Sequence, residues 1–265
     1  MLQRPIRKVA MLFAAVSMLV LGASAASAST TVIVRPSSPN GWASADTRPG
    51  GEIHFVADAT SPYPGGALQL KTDATTAAKA QYLRAETMPL SAVTEVGYWN
   101  RTLAGPAVAA ASFQLLVDLN GTAVAGGFTT LVYEPYWNGS VPTAWTAYDV
   151  DAGIVWSNSS FTSGACAVVS GAGGPPFYTL AGLQASCPDA ELLAIGVNVG
   201  TYNVSYDTLV DGVTLNGTVY DFELDLPTPA GANDCKKGGW QSLYRADGST
   251  FKNQGDCIQY VNTGK

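Results

Sequence analysis

The residues best suited to chemistry in this chain are aromatic rings with amide and carboxylate neighbours. Sugars offer apolar C–H faces and a rim of hydroxyls, so a cluster of this type predicts glycan recognition. Between positions 133 and 156 lie six aromatic residues, interleaved with Asn138, Asp149, Asp151 and Asn158: Tyr133, Tyr136, Trp137, Trp145, Tyr148 and Trp156.

Loop-forming neighbours distinguish three of these rings from the rest. Tyr136, Trp137 and Trp156 adjoin Pro, Asn-Gly and Ser-Asn residues, so we expect them to form an exposed platform, edged by Asn138. Trp145 has strand-like neighbours and is expected in the core. The alternative is that all the rings line the core, because large aromatic residues usually bury inward.

Carboxylates offer a second, catalytic interpretation. Asp221, Glu223 and Asp225 alternate along one predicted strand, which places them on one face about 7 Å apart. A glycosidase could use such a pair as acid and base. Glu134, among the aromatic residues, is an alternative acid. The simpler interpretation of the alternating acids is a solvated outer face, so we assign no catalytic residue.

Nucleophilic hydrolysis of the Ser-His-Asp type is disfavoured. The chain has one histidine, His54, in a predicted strand, and no Gly-x-Ser-x-Gly motif. Both features are expected where that chemistry is present.

Four cysteines, Cys166, Cys187, Cys235 and Cys257, permit three pairings. Proximity in the sequence favours Cys166–Cys187 and Cys235–Cys257. Zinc is the weaker alternative, because no Cys-x-x-Cys pair occurs and His54 lies far away in the sequence.

The first 28 residues have the pattern of a secretory signal peptide. Arg4, Arg7 and Lys8 precede an apolar run over 9–21, and Ala26-Ser27-Ala28 forms a small-residue cleavage site. We therefore predict an extracellular protein, free of the membrane once the signal is removed, in a compartment that permits disulfides.

The charge distribution argues against nucleic acid as a partner. The formal charge is −6, and residues 29–230 carry six Lys/Arg against seventeen Asp/Glu. An acidic body repels phosphate backbones and anionic membrane surfaces alike.

Short alternating segments separated by Gly, Pro and Asn predict an antiparallel two-sheet β-sandwich. A two-residue hairpin is expected at Asn216-Gly217, with Phe222 and Leu224 inward and Asp221 outward. One short helix is expected over 176–186. The strands are predicted near 31–35, 52–58, 67–71, 93–99, 109–119, 128–134, 145–150, 192–199, 213–215 and 218–224.

The stretch 226–231, which contains two prolines, reads as a stiff linker. It divides a β-sandwich domain at 29–225 from a small cysteine-containing element at 232–265, in which we expect a disulfide-closed cap.

Two parts of the sequence resemble known proteins. The tail, with Cys235-Lys-Lys-Gly-Gly-Trp240 and Phe251-Lys-Asn-Gln-Gly-Asp-Cys257, resembles a C-terminal element of exported bacterial proteins. The body resembles secreted bacterial jelly-roll domains of the carbohydrate-binding-module or lectin-like type. Its resemblance is carried by Leu131-Val-Tyr-Glu-Pro-Tyr136, Trp145-Thr-Ala-Tyr-Asp149 and Asp211-Gly-Val-Thr-Leu215.

The resemblance implies a jelly-roll sandwich and, in many such modules, a structural calcium, for which Asp211 and Glu52 could serve as ligands. No other cofactor is implied. Taken together, the sequence predicts a secreted, non-catalytic protein that binds a polysaccharide or cell-surface glycan. The alternatives are a glycan-active hydrolase or lyase using Glu134 or Asp221 and Glu223, and a structural or protein-interaction module.

Overall fold

The computed structural model describes residues 29–63, 65–139 and 143–265, so the predicted signal peptide lies outside the described residues. The described chain is mostly β-structure with two short helices. In chain order the elements are β1 (Thr30–Val34), β2 (Trp42–Ser44), β3 (Gly51–Asp58), β4 (Gly65–Thr72), β5 (Ala80–Pro89), β6 (Val96–Ala104), β7 (Ser112–Asp118), β8 (Phe128–Tyr133), β9 (Thr146–Asp149), β10 (Ile154–Ser157), β11 (Phe161–Ser163), β12 (Cys166–Val168), β13 (Tyr178–Thr179), α1 (Leu180–Ser186), β14 (Glu191–Val199), β15 (Asp207–Leu215), β16 (Thr218–Phe222) and α2 (Gln254–Thr263).

The strands form two seven-stranded sheets, as the predicted β-sandwich requires. The first sheet has the order β1-β16-β15-β4-β3, with β6 pairing to β15 and β9 to β6. The second has the order β13-β10-β8-β7-β14-β5-β2, and β11 and β12 form a separate hairpin. Strand β1 runs parallel to β16, a departure from the all-antiparallel pairing that we expected.

One apolar cluster fills the space between the two sheets. Trp42 of the second sheet meets Phe222 of the first edge-on, with ring centroids 5.1 Å apart. Tyr98 of the first sheet lies 5.5 Å from Phe113 of the second. Aromatic pairs of this kind contribute about 0.5–1.5 kcal/mol beyond their buried area.

Local signals in the sequence predicted several elements correctly. Asn216 and Gly217 have φ of 48° and 78°, the left-handed conformation that a type I′ hairpin turn requires. Helix α1 begins later than expected, because Thr179 caps it by accepting a hydrogen bond from the Gly182 amide at 3.1 Å. Tyr178 and the cap residue Thr179 form β13 instead of part of the predicted helix.

Asp211 lies where β15 changes partners along one edge. Residues 207–210 of β15 pair with β4, whereas 213–215 pair with β16. The Asp211 Oδ1 accepts hydrogen bonds from the amides of Gly212 at 2.8 Å and Phe222 at 2.9 Å. Its Oδ2 accepts from the Ser61 hydroxyl. The carboxylate therefore joins three chain segments at the break in the ladder.

The outer face of β15 and β16 is covered by the β3–β4 loop, which corrects one prediction. Asp221 was expected to face solvent, but it is only 8% exposed. A Cβ on Gly212 would collide with Tyr63, which shows how closely the loop approaches. Leu224, expected inward, lies beyond the end of β16 and is 37% exposed.

Burial of Asp211 predicts a dependence of stability on pH. Burial raises the pKa of Asp211 to about 7, against a reference value of 3.8, despite the three hydrogen bonds that oppose the shift. The pKa of Asp211 is higher in the folded state than in the unfolded state, so protonated Asp211 stabilises the fold. This stabilisation is complete below about pH 4 and is lost as the pH rises toward 7. The loss is on the order of 4 kcal/mol.

We expect Asp211→Asn to reduce the fall in stability as the pH rises, because an amide remains neutral. The Asn side-chain oxygen can still accept both backbone hydrogen bonds. Urea denaturation from pH 4 to pH 8 measures the effect. A smaller decline of the same sign should remain, because burial also raises the pKa of Asp221 to about 6. Identical pH profiles for the parent and variant would contradict this role of Asp211.

The chain after Pro227 forms a small unit with its own core. Cys235, Phe251 and Cys257 are buried there, and neighbouring apolar side chains pack partly against them. Helix α2, which the sequence analysis missed, begins at the Asn253 cap and ends at Gly264, whose φ is 72°. Both predicted disulfides, Cys166–Cys187 and Cys235–Cys257, are present.

So small a core predicts that the C-terminal unit depends on its disulfide. Each disulfide contributes about 3 kcal/mol by the chain-entropy account. We expect replacing Cys235 and Cys257 by Ser to abolish hydrogen-exchange protection in α2 while the sandwich melts as before. The matched control replaces Cys166 and Cys187, which join β12 to the end of α1, and should lower the melting temperature of the sandwich. Retained protection in α2 would contradict the prediction.

Candidate functional site

The outer face of the second sheet forms a groove of about 600 Å³. Its floor follows from the alternation of side chains along each strand. In β7, Phe113, Leu115 and Val117 enter the core, so Ser112 and Gln114 face the groove. The same alternation in the neighbouring strands brings other polar side chains to this surface.

A row of four polar side chains crosses the floor. Gln81 of β5 pairs in register with Asn198 of β14, which pairs with Ser112 of β7. Glu134 follows directly on the Phe113–Tyr133 pair between β7 and β8, which places it beside Ser112. Neighbouring strands are about 4.8 Å apart, so the row extends roughly 14 Å.

Three polar atoms of the groove lack a hydrogen-bond partner of normal geometry: Gln81 Oε1, Asn198 Oδ1 and Trp156 Nε1. Gln81 and Asn198 are each only 6% exposed. A buried polar atom without a partner costs about 1–3 kcal/mol. The groove therefore presents two acceptors and one donor that a ligand could satisfy.

Trp156 lies in the adjacent row of side chains. In that row Trp156 pairs in register with Val132, and Val132 with Gln114. The Gln114 partner on β14 is Gly196, where a Cβ would collide with Leu83 and the Tyr82 carbonyl. Glycine thus lets β5 and β14 approach closely beneath the groove.

Glu134 is a carboxylate that lies beside Trp156 and Trp137. Burial raises its pKa, and the nearby indole N–H groups of Trp156 and Trp137 act in the opposite direction. Glu134 also lines an adjoining pocket of about 210 Å³ together with Tyr136 and Trp137. The groove and this pocket share Glu134 and Gly173, so they form one continuous surface.

Tyr136 and Trp137 form an aromatic rim on a 3-10 turn that follows β8. Their rings lie 4.8 Å apart, and Trp137 lies 5.2 Å from Phe177. The Trp137 Nε1 donates to the Gly173 carbonyl at 3.0 Å. Tyr136 is 49% exposed, so both rings are held in place yet accessible.

The structure gives Asn138, the fourth residue of the predicted platform, a bracing position. Its Nδ2 donates to the carbonyls of Glu134 and Ile154, both at 3.0 Å. Its Oδ1 accepts from the Ile154 amide at 2.8 Å. These bonds tie the aromatic turn to β10. Trp145, expected in the core, is half-buried, and its indole donates to Asp58 at 3.3 Å.

Charged side chains occupy the opposite end of the groove. Asp46 accepts from Lys79 Nζ at 2.7 Å and from Arg48 Nε and Nη2, both at 3.1 Å. We call Asp46, Arg48 and Lys79 the cationic end, because two cations share one carboxylate there. The Arg48 and Lys79 hydrogen bonds lower the pKa of Asp46, so it is ionised at neutral pH.

The two residues suggested as calcium ligands are not brought together. Glu52 of β3 pairs with Lys71 of β4, and Lys71 with Asp207 of β15. Glu52 is thus two strands and four residues away from Asp211. It interacts with His54 at 3.0 Å. Among the residues that the structure describes, no three His, Cys, Asp or Glu side chains are placed to hold a metal ion.

Sequence reasoning missed the groove floor. Gln81, Ser112 and Asn198 lie on strands that carry other polar residues as well, such as Arg84 on β5 and Gln114 on β7. No pattern within a single strand therefore distinguishes these three residues. Their convergence depends on register between strands that are distant in the sequence.

No protein-family model matches the chain, and no curated protein matches it. Among solved structures, the family 11 carbohydrate-binding module from Clostridium thermocellum, in complex with a β-1,3-1,4-mixed-linked tetrasaccharide, is similar at 13% identity. The match covers 69% of this chain and 91% of that one, with a TM-score of 0.40. The family 30 module of a C. thermocellum cellulosomal cellulase is similar at 12% identity, over 66% and 91% of the two chains, with a TM-score of 0.38.

We expect Asn138→Ala to destabilise the protein by about 2–3 kcal/mol, because three hydrogen bonds are lost and the Ile154 amide is left without its acceptor. Urea denaturation monitored by tryptophan fluorescence measures this change. Unchanged stability together with lost ligand binding would instead identify Asn138 as a ligand contact.

Proposed function

We propose that this protein is exported and binds carbohydrate, without transforming it, in the groove on the outer face of the second sheet. The observation that carries the proposal is the pair of unpartnered acceptors Gln81 Oε1 and Asn198 Oδ1, in the same groove as the Trp156 indole N–H, which lies beside Glu134. A polyol supplies hydroxyls that donate to the two oxygens and accept from the indole. A purely apolar ligand would leave both oxygens unsatisfied.

The size of the groove fits an oligosaccharide. A volume of about 600 Å³ lies within the range typical of ligand sites. From Gln81 on β5 to Trp156 on β10 the groove crosses five strands, which amounts to about 19 Å. Tyr136 and Trp137 extend the surface at one end and offer aromatic faces for the apolar side of a sugar ring.

The distribution of carboxylates favours binding over catalysis. A glycosidase pair needs two carboxylates about 5–9.5 Å apart. The groove is lined by Glu134 and Asp46. Glu134 forms one end of a row that is roughly 14 Å long, and Asp46 lies near the other end, so the two carboxylates are too far apart for such a pair. The alternative catalytic acids are Asp221 on β16 of the other sheet and Glu223 just after that strand, and Asp221 is buried.

Export is supported by the signal-like sequence of residues 1–28 and by the two disulfides. No helix among the described residues is long and apolar enough to cross a membrane. From the signal-like sequence and the disulfides we propose that the protein binds its ligand outside the cell.

The test is a glycan array probed with the chain beginning at Ser29, followed by affinity electrophoresis on the polysaccharides retained. We expect Trp156→Phe, which keeps the packing but removes the indole donor, to weaken retention about tenfold. Trp137→Ala should also weaken retention, because it removes half of the aromatic rim. Both should melt within a few degrees of the parent.

Trp99→Phe is the matched control, since Trp99 lies in the first sheet, and it should bind like the parent. Absence of glycan binding together with capture of a protein partner would replace this proposal by the protein-interaction alternative. Polysaccharide turnover abolished by Glu134→Gln would replace it by the catalytic one.

A further inference from the structure

Positive charge is concentrated at one end of the groove in an otherwise acidic body. Residues 29–230 contain six Lys/Arg against seventeen Asp/Glu. Two of those six cations, Arg48 and Lys79, line the groove. Elsewhere in the body, Arg84 pairs with Glu86 and Arg101 with Asp58. Only at the cationic end do two cations share a single carboxylate, among the ion pairs of the described residues.

Backbone pairing fixes the position of the cationic end. Arg48 and Lys79 face each other across an isolated β-bridge, in which the Arg48 amide donates to the Lys79 carbonyl at 2.9 Å. Asp46 has a φ of 49°, a conformation uncommon for a residue with a side chain. Asp46 in this position holds both cations and leaves one positive charge in excess.

The unpartnered acceptors lie next to this charge. Gln81 follows Lys79 by two residues on the same side of the chain, and both line the groove with Asn198. Gln81 Oε1 and Asn198 Oδ1 lack hydrogen-bond donors, whereas the positive charges of Lys79 and Arg48 attract an anion. Glu134, the other acid lining the groove, is roughly 14 Å from Gln81, so it does not neutralise the cationic end.

An exposed aromatic ring completes this end of the groove. Tyr202, in the loop between β14 and β15, is 79% exposed and has a φ of 73°. The loop is held by the Tyr202 amide, which donates to the Thr76 carbonyl at 3.0 Å, and by the Ser205 amide, which donates to the Asp73 carbonyl at 2.7 Å. Tyr202 lines the same groove and offers a face to a sugar ring.

We propose that the cationic end binds a carboxylate of the ligand, so that this protein selects a uronate-containing polysaccharide over a neutral one. A hexuronate carries its carboxylate and hydroxyls on one ring. Its carboxylate could therefore bind Lys79 and Arg48, while its hydroxyls donate to Gln81 and Asn198. This inference rests on the proposed function and specifies its ligand class.

The experiment compares one polymer with and without its charge. Affinity electrophoresis and isothermal titration use polygalacturonate and alginate, each beside its methyl-esterified form, in which the carboxylates are neutral. We expect tighter binding to the charged forms, and weaker binding as salt increases. Lys79→Gln should weaken binding to the charged forms about tenfold and weaken binding to the esterified forms by a much smaller factor.

Two further variants complete the design. Arg48→Gln should act in the same direction, and because the Arg48 side chain is 47% exposed its replacement leaves folding intact. Lys71→Gln removes the same charge from the first sheet and should bind like the parent.

The outcomes separate the two proposals. Equal or better binding to the esterified polymers overturns the charge selection and leaves carbohydrate binding in place. So does binding to charged polymers that neither groove variant changes, or binding to a sulfated polymer without uronate in preference to both polyuronates. Failure to bind any glycan overturns both proposals.

Discussion

The structure depends on the alternation of side chains in the second sheet. Every strand there must cover the core with one face, as Phe113 and Leu115 do on β7. Its other face is then necessarily the floor of the groove. The sheet cannot shift by a residue to cover its polar side chains, because the same shift would expose the core. The unpartnered Gln81 and Asn198 oxygens are held in place by this constraint.

The two outer faces of the sandwich are used differently. On the first sheet, the β3–β4 loop lies over β15 and β16, and its Ser61 hydroxyl bonds to the buried Asp211 carboxylate. There a buried polar group has partners in three segments of the chain, and it stabilises a break in the strand pairing. On the second sheet the face remains open, and the Gln81 and Asn198 oxygens in its groove lack partners. The covered face also has one unpartnered oxygen, Asp221 Oδ1. Buried polar groups usually have partners, so those that lack them in an open groove require an explanation such as a ligand.

Local sequence patterns predicted much of the fold. The Asn216-Gly217 turn, most strands and the two disulfides follow from residues near one another in the sequence. The aromatic cluster was also recognised, and Trp156 does line the groove. Asn138, which was predicted to edge a ligand, also ties the aromatic turn to β10. Its sequence neighbours cannot reveal this, because its partner Ile154 is brought to it by the fold.

By itself, the sequence determined an acidic, disulfide-containing β-sandwich, because turn residues, alternation and cysteine spacing act over short distances along the chain. Tertiary structure decided which polar residues meet. Gln81, Ser112 and Asn198 become neighbours only because β14 pairs with both β5 and β7. Likewise, Asp46, Arg48 and Lys79 become one end of that groove through a backbone bridge between distant segments. Strand register is a non-local property, and no residue type specifies it alone.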